Sequence, residues 1–148
     1  MWRELLATIV LAAANVVVHA FGTYAMLHWL LRAAKHRNVW NLARVLWTLL
    51  RFIAGLLILH SLEVATWAQF YLWQRCFPDR ETAYYYSLVS YTTVGYGDIV
   101  LAHSWGLMGG FEAMVGVLLF GWSTACLVAF IYYVQNHEMK KHLGPALE

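Results

Sequence analysis

Thr92-Thr93-Val94-Gly95-Tyr96-Gly97-Asp98 is the stretch whose residue types and spacing carry the clearest chemistry. Gly95 and Gly97 alternate with residues that bear side chains. Glycine tolerates positive φ, so this backbone is free to be neither helical nor extended. Successive carbonyl oxygens from Thr93 to Gly97 then point one way, toward a common axis. Irregular backbone at membrane depth is tolerated only where protein covers it or where it lines a water-filled path. Rings of such carbonyls, contributed by several subunits, replace the water shell of a dehydrated cation. That chemistry is the binding and passage of an ion, without a covalent step and without an enzyme's nucleophile or base.

Other residues invite functional readings that are weighed against plainer ones. His60 and Glu63 are three apart on one helical face. A His-x-x-Glu pair is the beginning of a metal site, but it needs further ligands from elsewhere in the assembly. A lone carboxylate in lipid is normally functional or paired, and a hydrogen-bonded contact from Glu63 to the filter region is the expectation. Coupling of Glu63 to gating is the alternative. Asn15 and His19, four apart, share a face and read as a polar seam against other protein. Together with His28, the histidines and Glu63 make a pH-dependent gate conceivable. Glu112 reads as a structural contact in the outer half of its span. His137-Glu138 and His142 miss the His-Glu-x-x-His zinc spacing by one residue. Arg37, Arg44 and Arg51 recur every seven residues, too sparsely and outside an apolar span for a voltage sensor, and read as interfacial anchors.

The rest of the chain reads as machinery that positions the Thr92–Asp98 stretch. Of 148 residues 61% are hydrophobic and only 12% charged, about half the charge of a soluble domain. The basic residues are few and flank apolar segments, which argues against a nucleic-acid partner. Two cysteines, Cys76 and Cys126, are too few for a disulfide framework. They are expected on the outer side and within a helix respectively, so a bond within the chain is not expected. Leu5 to Leu31 is 27 residues without a formal charge and reads as a retained transmembrane helix. Arg32, Lys35 and Arg37 stop it. Val39 to Arg51 is amphipathic, either lying on the membrane surface or forming the wetted first turns of the next span. Phe52 to Trp73 is the second span. Asp79 is a candidate N-cap for a short helix, Glu81 to Tyr91, too short to cross and therefore re-entrant. Its tyrosines Tyr84, Tyr85, Tyr86 and Tyr91 are expected to pack sideways and fix the width of the opening. The negative end of its dipole favours a cation at the membrane centre. Trp105 to about Tyr133 is the third span, with Gly116 and Gly121 as candidate hinges.

The expected architecture is an all-α membrane protein with three transmembrane helices, a re-entrant helix and a filter loop, assembled as a tetramer. Its parts are an N-terminal helix (1–33), a basic connection (34–51), a pore unit (52–134) and a short tail (135–148). Seven basic residues lie in the 32–51 connection and the tail, against three on the other side (Arg3, Arg75 and Arg80). The positive-inside rule therefore places the C-terminus in the cytoplasm and the N-terminus outside the cell membrane.

Helix, re-entrant helix, Thr-Thr-Val-Gly-Tyr-Gly-Asp and helix, from Phe52 to about Tyr133, resembles the pore module of tetrameric potassium channels. The resemblance implies passive potassium conduction by a homotetramer, one chain with three identical partners in a lipid membrane. No cofactor is implied beyond the permeant K+. Potassium would be held by carbonyls of Thr93, Val94, Gly95 and Tyr96, with Gly97 completing the filter and the Thr93 hydroxyl joining the innermost ring. Thr92, Asp98, Tyr85, Tyr86 and Glu63 would support the filter. The chain departs from relatives in three respects. Tyr85 and Tyr86 stand where many have two tryptophans. Val89 stands where some have a glutamate paired with the filter aspartate. An extra first span precedes the module. A subunit of a potassium uptake system and a regulatory membrane subunit with a filter-like loop are the competing readings; the single intact filter copy argues against both.

Overall fold

A computed structural model of the chain describes residues 2–35 and 42–143. Four α-helices account for nearly all of them: α1 (Trp2–Lys35), α2 (Leu42–Trp73), α3 (Arg80–Tyr91) and α4 (Met108–Leu143), with a 3-10 turn at His103–Trp105. No strand is present among the described residues. Three helices are long and apolar enough to cross a membrane, over Trp2–Leu30, Leu42–Trp73 and Met108–Asn136. The protein is thus an all-α membrane protein.

The helix breaks fall where the sequence lacks support for continuation. Between Leu42 and Trp73 there is no proline, so the amphipathic segment and the second span form one helix. The surface-lying alternative is not what the described part adopts; residues 36–41 of that connection, Arg37 among them, lie outside the described residues. Arg51 sits 5.0 Å over the Trp47 ring one turn earlier, a cation–aromatic contact suited to an interfacial anchor. The third span begins three residues later than the sequence predicts, at Met108. Trp105 is held in the preceding 3-10 turn and sits under the Arg3 guanidinium at 5.7 Å. At its far end α4 continues through Leu143, beyond the predicted limit of the span.

α1 and α2 run antiparallel in close register. A Cβ on Gly22 would lie 2.6 Å from Leu59 Cδ1, and one on Gly55 would lie 2.7 Å from Met26 Cε. Four residues forward on α1 thus match four residues back on α2, and in the other direction three residues back on α1 and four forward on α2 bring His19 to Glu63. α1 also packs on α4: Thr8 donates to the Met108 sulfur at 3.1 Å near one membrane face. Leu30 packs with Phe130 and Val134 near the other. Short α3 sits between α2 and α4, and its contacts with those helices carry the main core: Trp67, Tyr71, Ala83, Tyr91, Met108 and Leu119 are all buried there. The first span is therefore part of the packed unit, not an appendage to it.

Candidate functional site

Asp79 opens α3 as the sequence predicts. Its carboxylate accepts from the Thr82 backbone N–H at 2.8 Å and from the Thr82 hydroxyl at 2.9 Å. These bonds, the backbone one foremost, hold its carboxyl below the usual aspartate range. At the other end Thr92 closes the helix, its hydroxyl donating to the Leu88 carbonyl at 2.6 Å. The chain then leaves helical geometry. The N–H of Thr93 bonds to Ser90 O at 2.9 Å, and those of Val94 and Gly95 both bond to Val89 O at 3.0 and 3.2 Å.

From there handedness alternates. Thr93 (φ 62°), Gly95 (φ 55°) and Gly97 (φ 76°) have positive φ, whereas Val94 and Tyr96 do not. In an ordinary strand successive carbonyls point to opposite sides. Inverting every second residue turns them to the same side. Among the described residues no backbone N–H bonds to the carbonyls of 93–97. The two glycines adopt the conformation predicted for them. Thr93 does so without being glycine, and no signal in its residue type foretold that, since a β-branched residue disfavours positive φ. The side chains of Val94 (51% exposed) and Tyr96 (71% exposed) face away from this chain's own core.

The flanking tyrosines divide their work. Tyr85 donates to Asp98 Oδ2 at 2.7 Å, tying the end of the Thr92–Asp98 loop to the helix before it. Val89 carries no carboxylate, and Asp98 takes a phenol as its partner instead. The Tyr86 ring lies 5.0 Å from Phe77 and 5.4 Å from Tyr71, with its hydroxyl against Gly109. Tyr84 is exposed. Tyr91 differs from the sideways packing predicted for it: it is fully buried in its own chain, because its hydroxyl has a partner there. Gly116 lies directly under the Tyr91 carbonyl, where a Cβ would collide with backbone, while Gly121 has open space beside it.

Behind Tyr91 four helices contribute to one polar cluster. Glu63, fully buried, receives Tyr91 Oη at 2.5 Å and His60 Nδ1 at 2.8 Å on Oε2, and His19 Nδ1 at 2.8 Å on Oε1. Three polar side chains from three other positions thus converge on the two oxygens of one carboxyl. Both imidazoles turn their Nε2 toward Ser123 Oγ, His60 at 3.0 Å and His19 at 3.4 Å. His19 and Ser123 are the partners that sequence reasoning missed. The Asn15/His19 spacing marked a polar face, but nothing in the sequence says which face of α2 it meets. His28 takes no part, stacking instead near Tyr24 at 5.9 Å.

Glu112 forms a second buried site on the other side of α3. Tyr71 donates to its Oε2 at 2.7 Å, and Ser87 Oγ makes a short contact to Oε1. Ser87 Oγ also lies 2.9 Å from the Val64 carbonyl. Ser87 thus stands between two acceptors, the Glu112 carboxyl and the Val64 carbonyl, and Glu112 accepts from both Tyr71 and Ser87. Three polar side chains converge on Glu63 and two on Glu112. Cys76 and Cys126 are both free thiols.

The family model described as ion channel matches residues 46–133, more than half of the chain. The chain belongs to this ion channel family. The match covers α2, α3, the loop after it and α4 as far as Tyr133; α1 lies outside it. No curated protein and no solved structure matches the channel.

Proposed function

We propose that this ion channel is potassium-selective and conducts passively as a homotetramer, with the filter formed by residues 93–97 of four chains. The observation that carries the reading is the alternation of handedness at Thr93, Gly95 and Gly97, with the local N–H groups of Thr93, Val94 and Gly95 turned back onto α3. It leaves a row of carbonyls that no backbone N–H among the described residues satisfies. A backbone like this is tolerable at membrane depth only around a permeating ion or water. Potassium would bind at the carbonyls of Thr93, Val94, Gly95 and Tyr96. Thr92 and the Tyr85–Asp98 bond would hold the loop's two ends, Tyr86 would wedge α3 against α4, and Glu63 would brace it through Tyr91. The C-terminal end of α3 presents the negative end of its dipole to the ion path. Bending of α4 for opening is assigned to Gly116 and Gly121. The basic 32–51 connection and the C-terminus would face the cytoplasm of a cell membrane, with Asp79 and Glu81 outside.

Reconstitution into liposomes tests this. Potassium- and rubidium-driven flux with little sodium flux, blocked by barium, is the expected result. Equal sodium and potassium permeation would sink the selectivity. The absence of flux under any gradient would turn the reading toward a regulatory subunit.

A further inference from the structure

We infer that His19, His60 and Glu63 form a binding site for a divalent transition-metal ion of the zinc type, placed to modulate the filter. The site rests on the chain's own geometry; its effect on conduction rests on the channel reading above. One ligand atom from each of the three residues lies within 4.8 Å of the others. His60 and Glu63 alone were an incomplete pair. α1 supplies the third ligand, and it does so because the Gly22–Leu59 contact sets its register on α2. Two imidazoles and a carboxylate suit zinc, cobalt and copper far better than calcium or magnesium.

Hydrogen-bond counting favours an added cation. With both imidazoles neutral and both Nδ1 atoms donating to Glu63, both Nε2 atoms are acceptors. Ser123 has a single hydrogen for the two of them. One nitrogen is left unsatisfied in a buried cluster, unless the histidine pair takes an extra proton. A metal ion resolves the mismatch differently. Each Nδ1 lone pair goes to the ion, each Nε2 carries its hydrogen, and both donate to the two lone pairs of Ser123 Oγ. This is the outer-shell arrangement that metal-binding histidines ordinarily have. Tyr91 Oη, 2.5 Å from Glu63 Oε2 and 3.0 Å from His60 Nδ1, stands at the open corner. From α4 the neighbours are Ser123, the Phe120 ring 4.5 Å from His60 and the Trp122 ring, edge-on to His19 at 5.4 Å; none carries charge.

The balance of charge gives the direction of the effect. With Glu63 ionised and both imidazoles neutral the cluster carries one negative charge, whereas with a divalent ion added it carries one positive charge. Binding therefore leaves a fixed positive charge beside Tyr91, the last residue of α3. That charge opposes the helix end whose negative dipole favours a cation in the path. Zinc is expected to lower conduction.

Tag-free protein in detergent, loaded with zinc and dialysed, should retain one zinc ion per chain by elemental analysis. Cobalt in its place should give visible d–d absorption. His19→Gln, His60→Gln and Glu63→Gln should each lose both signals, although the tail histidines His137 and His142 remain. Ser123→Ala should keep the site with about 10–100-fold weaker affinity. Thermal unfolding separates lost folding from lost binding: zinc should raise the melting temperature of the wild type and not that of the three variants. Wild type that retains no zinc, or variants that retain as much, would overturn the site. In liposomes zinc should reduce wild-type flux and leave His19→Gln unaffected. Zinc bound without change in flux overturns the modulation. Protein that passes no ions at all would fail the channel reading, while the retention and absorption measurements would still decide the site.

Discussion

At the scale of single residues, the contrast between Glu63 and Glu112 is the most informative. Both are glutamates buried at membrane depth, and both are bonded by a tyrosine from another helix. They differ in their partners, since three polar side chains reach Glu63 and two reach Glu112. An amide of the same shape as Glu112 keeps an oxygen for Tyr71 and a polar group against Ser87. Glu112→Gln is expected to change stability by less than about 1 kcal/mol, its N–H₂ donating to Ser87 and its oxygen accepting from Tyr71. Glu112→Ala strands both partners and opens a cavity, and should cost about 2–5 kcal/mol. Denaturation midpoints of the detergent-solubilised protein measure both. A Gln variant as damaged as the Ala variant would show that the carboxyl itself, and not its shape and hydrogen bonding alone, is needed there.

At the scale of elements, the contact of α3 with α4 decides how the filter is held. Gly116 on α4 leaves room for the Tyr91 carbonyl at the end of α3, and backbone cannot move aside as a flexible side chain can. Gly116→Ala is therefore expected to push the end of α3 and abolish conduction in a liposome flux assay, with a loss of stability of about 1–3 kcal/mol. Gly121→Ala meets open space and should keep stability within about 0.5 kcal/mol, so any change it makes in flux reports on bending of α4. Equal tolerance at the two positions would mean that α4 does not press on α3. This difference between two glycines five residues apart was not legible in the sequence, where both read as hinges. The elements themselves were legible: long uncharged stretches bounded by Arg32 and Lys35, and an Asp79 cap before a segment too short to cross. What sequence reasoning could not reach was pairing between helices. Periodicity gave Asn15 and His19 a common face and gave His60 and Glu63 another, but the register that joins them is set by Leu59 over Gly22 and Met26 over Gly55. That is shape complementarity between residues more than 25 positions apart, and no local rule encodes it. The start of α4 was misjudged for a similar reason, since Trp105 is occupied by Arg3 from the far end of the chain.

At the scale of the whole molecule, the carbonyls of 93–97 accept no backbone bond among the described residues, and Val94 and Tyr96 expose apolar side chains beside them. In hydrocarbon, unsatisfied carbonyls cost several kcal/mol each. The proposed potassium-channel reading removes that cost by surrounding the loop with other copies and occupying it with an ion, and on that reading a closed ring with one such strand per chain has four chains. Native mass spectrometry should find four times the 17.0 kDa chain mass. The ion should also be part of the stability of that ring. At a potassium concentration a hundredfold above its Kd, each occupied site adds about 2.7 kcal/mol to the assembled state over the dissociated one. Replacing potassium by sodium at constant ionic strength should therefore lower the temperature at which tetramer converts to monomer. Constant ionic strength matters, because the basic residues near the membrane faces respond to salt of any kind within a Debye length. A dissociation temperature that follows ionic strength but not the identity of the cation would mean that the assembly is held by helix packing alone. A dimeric mass would require two filter strands where the sequence supplies one.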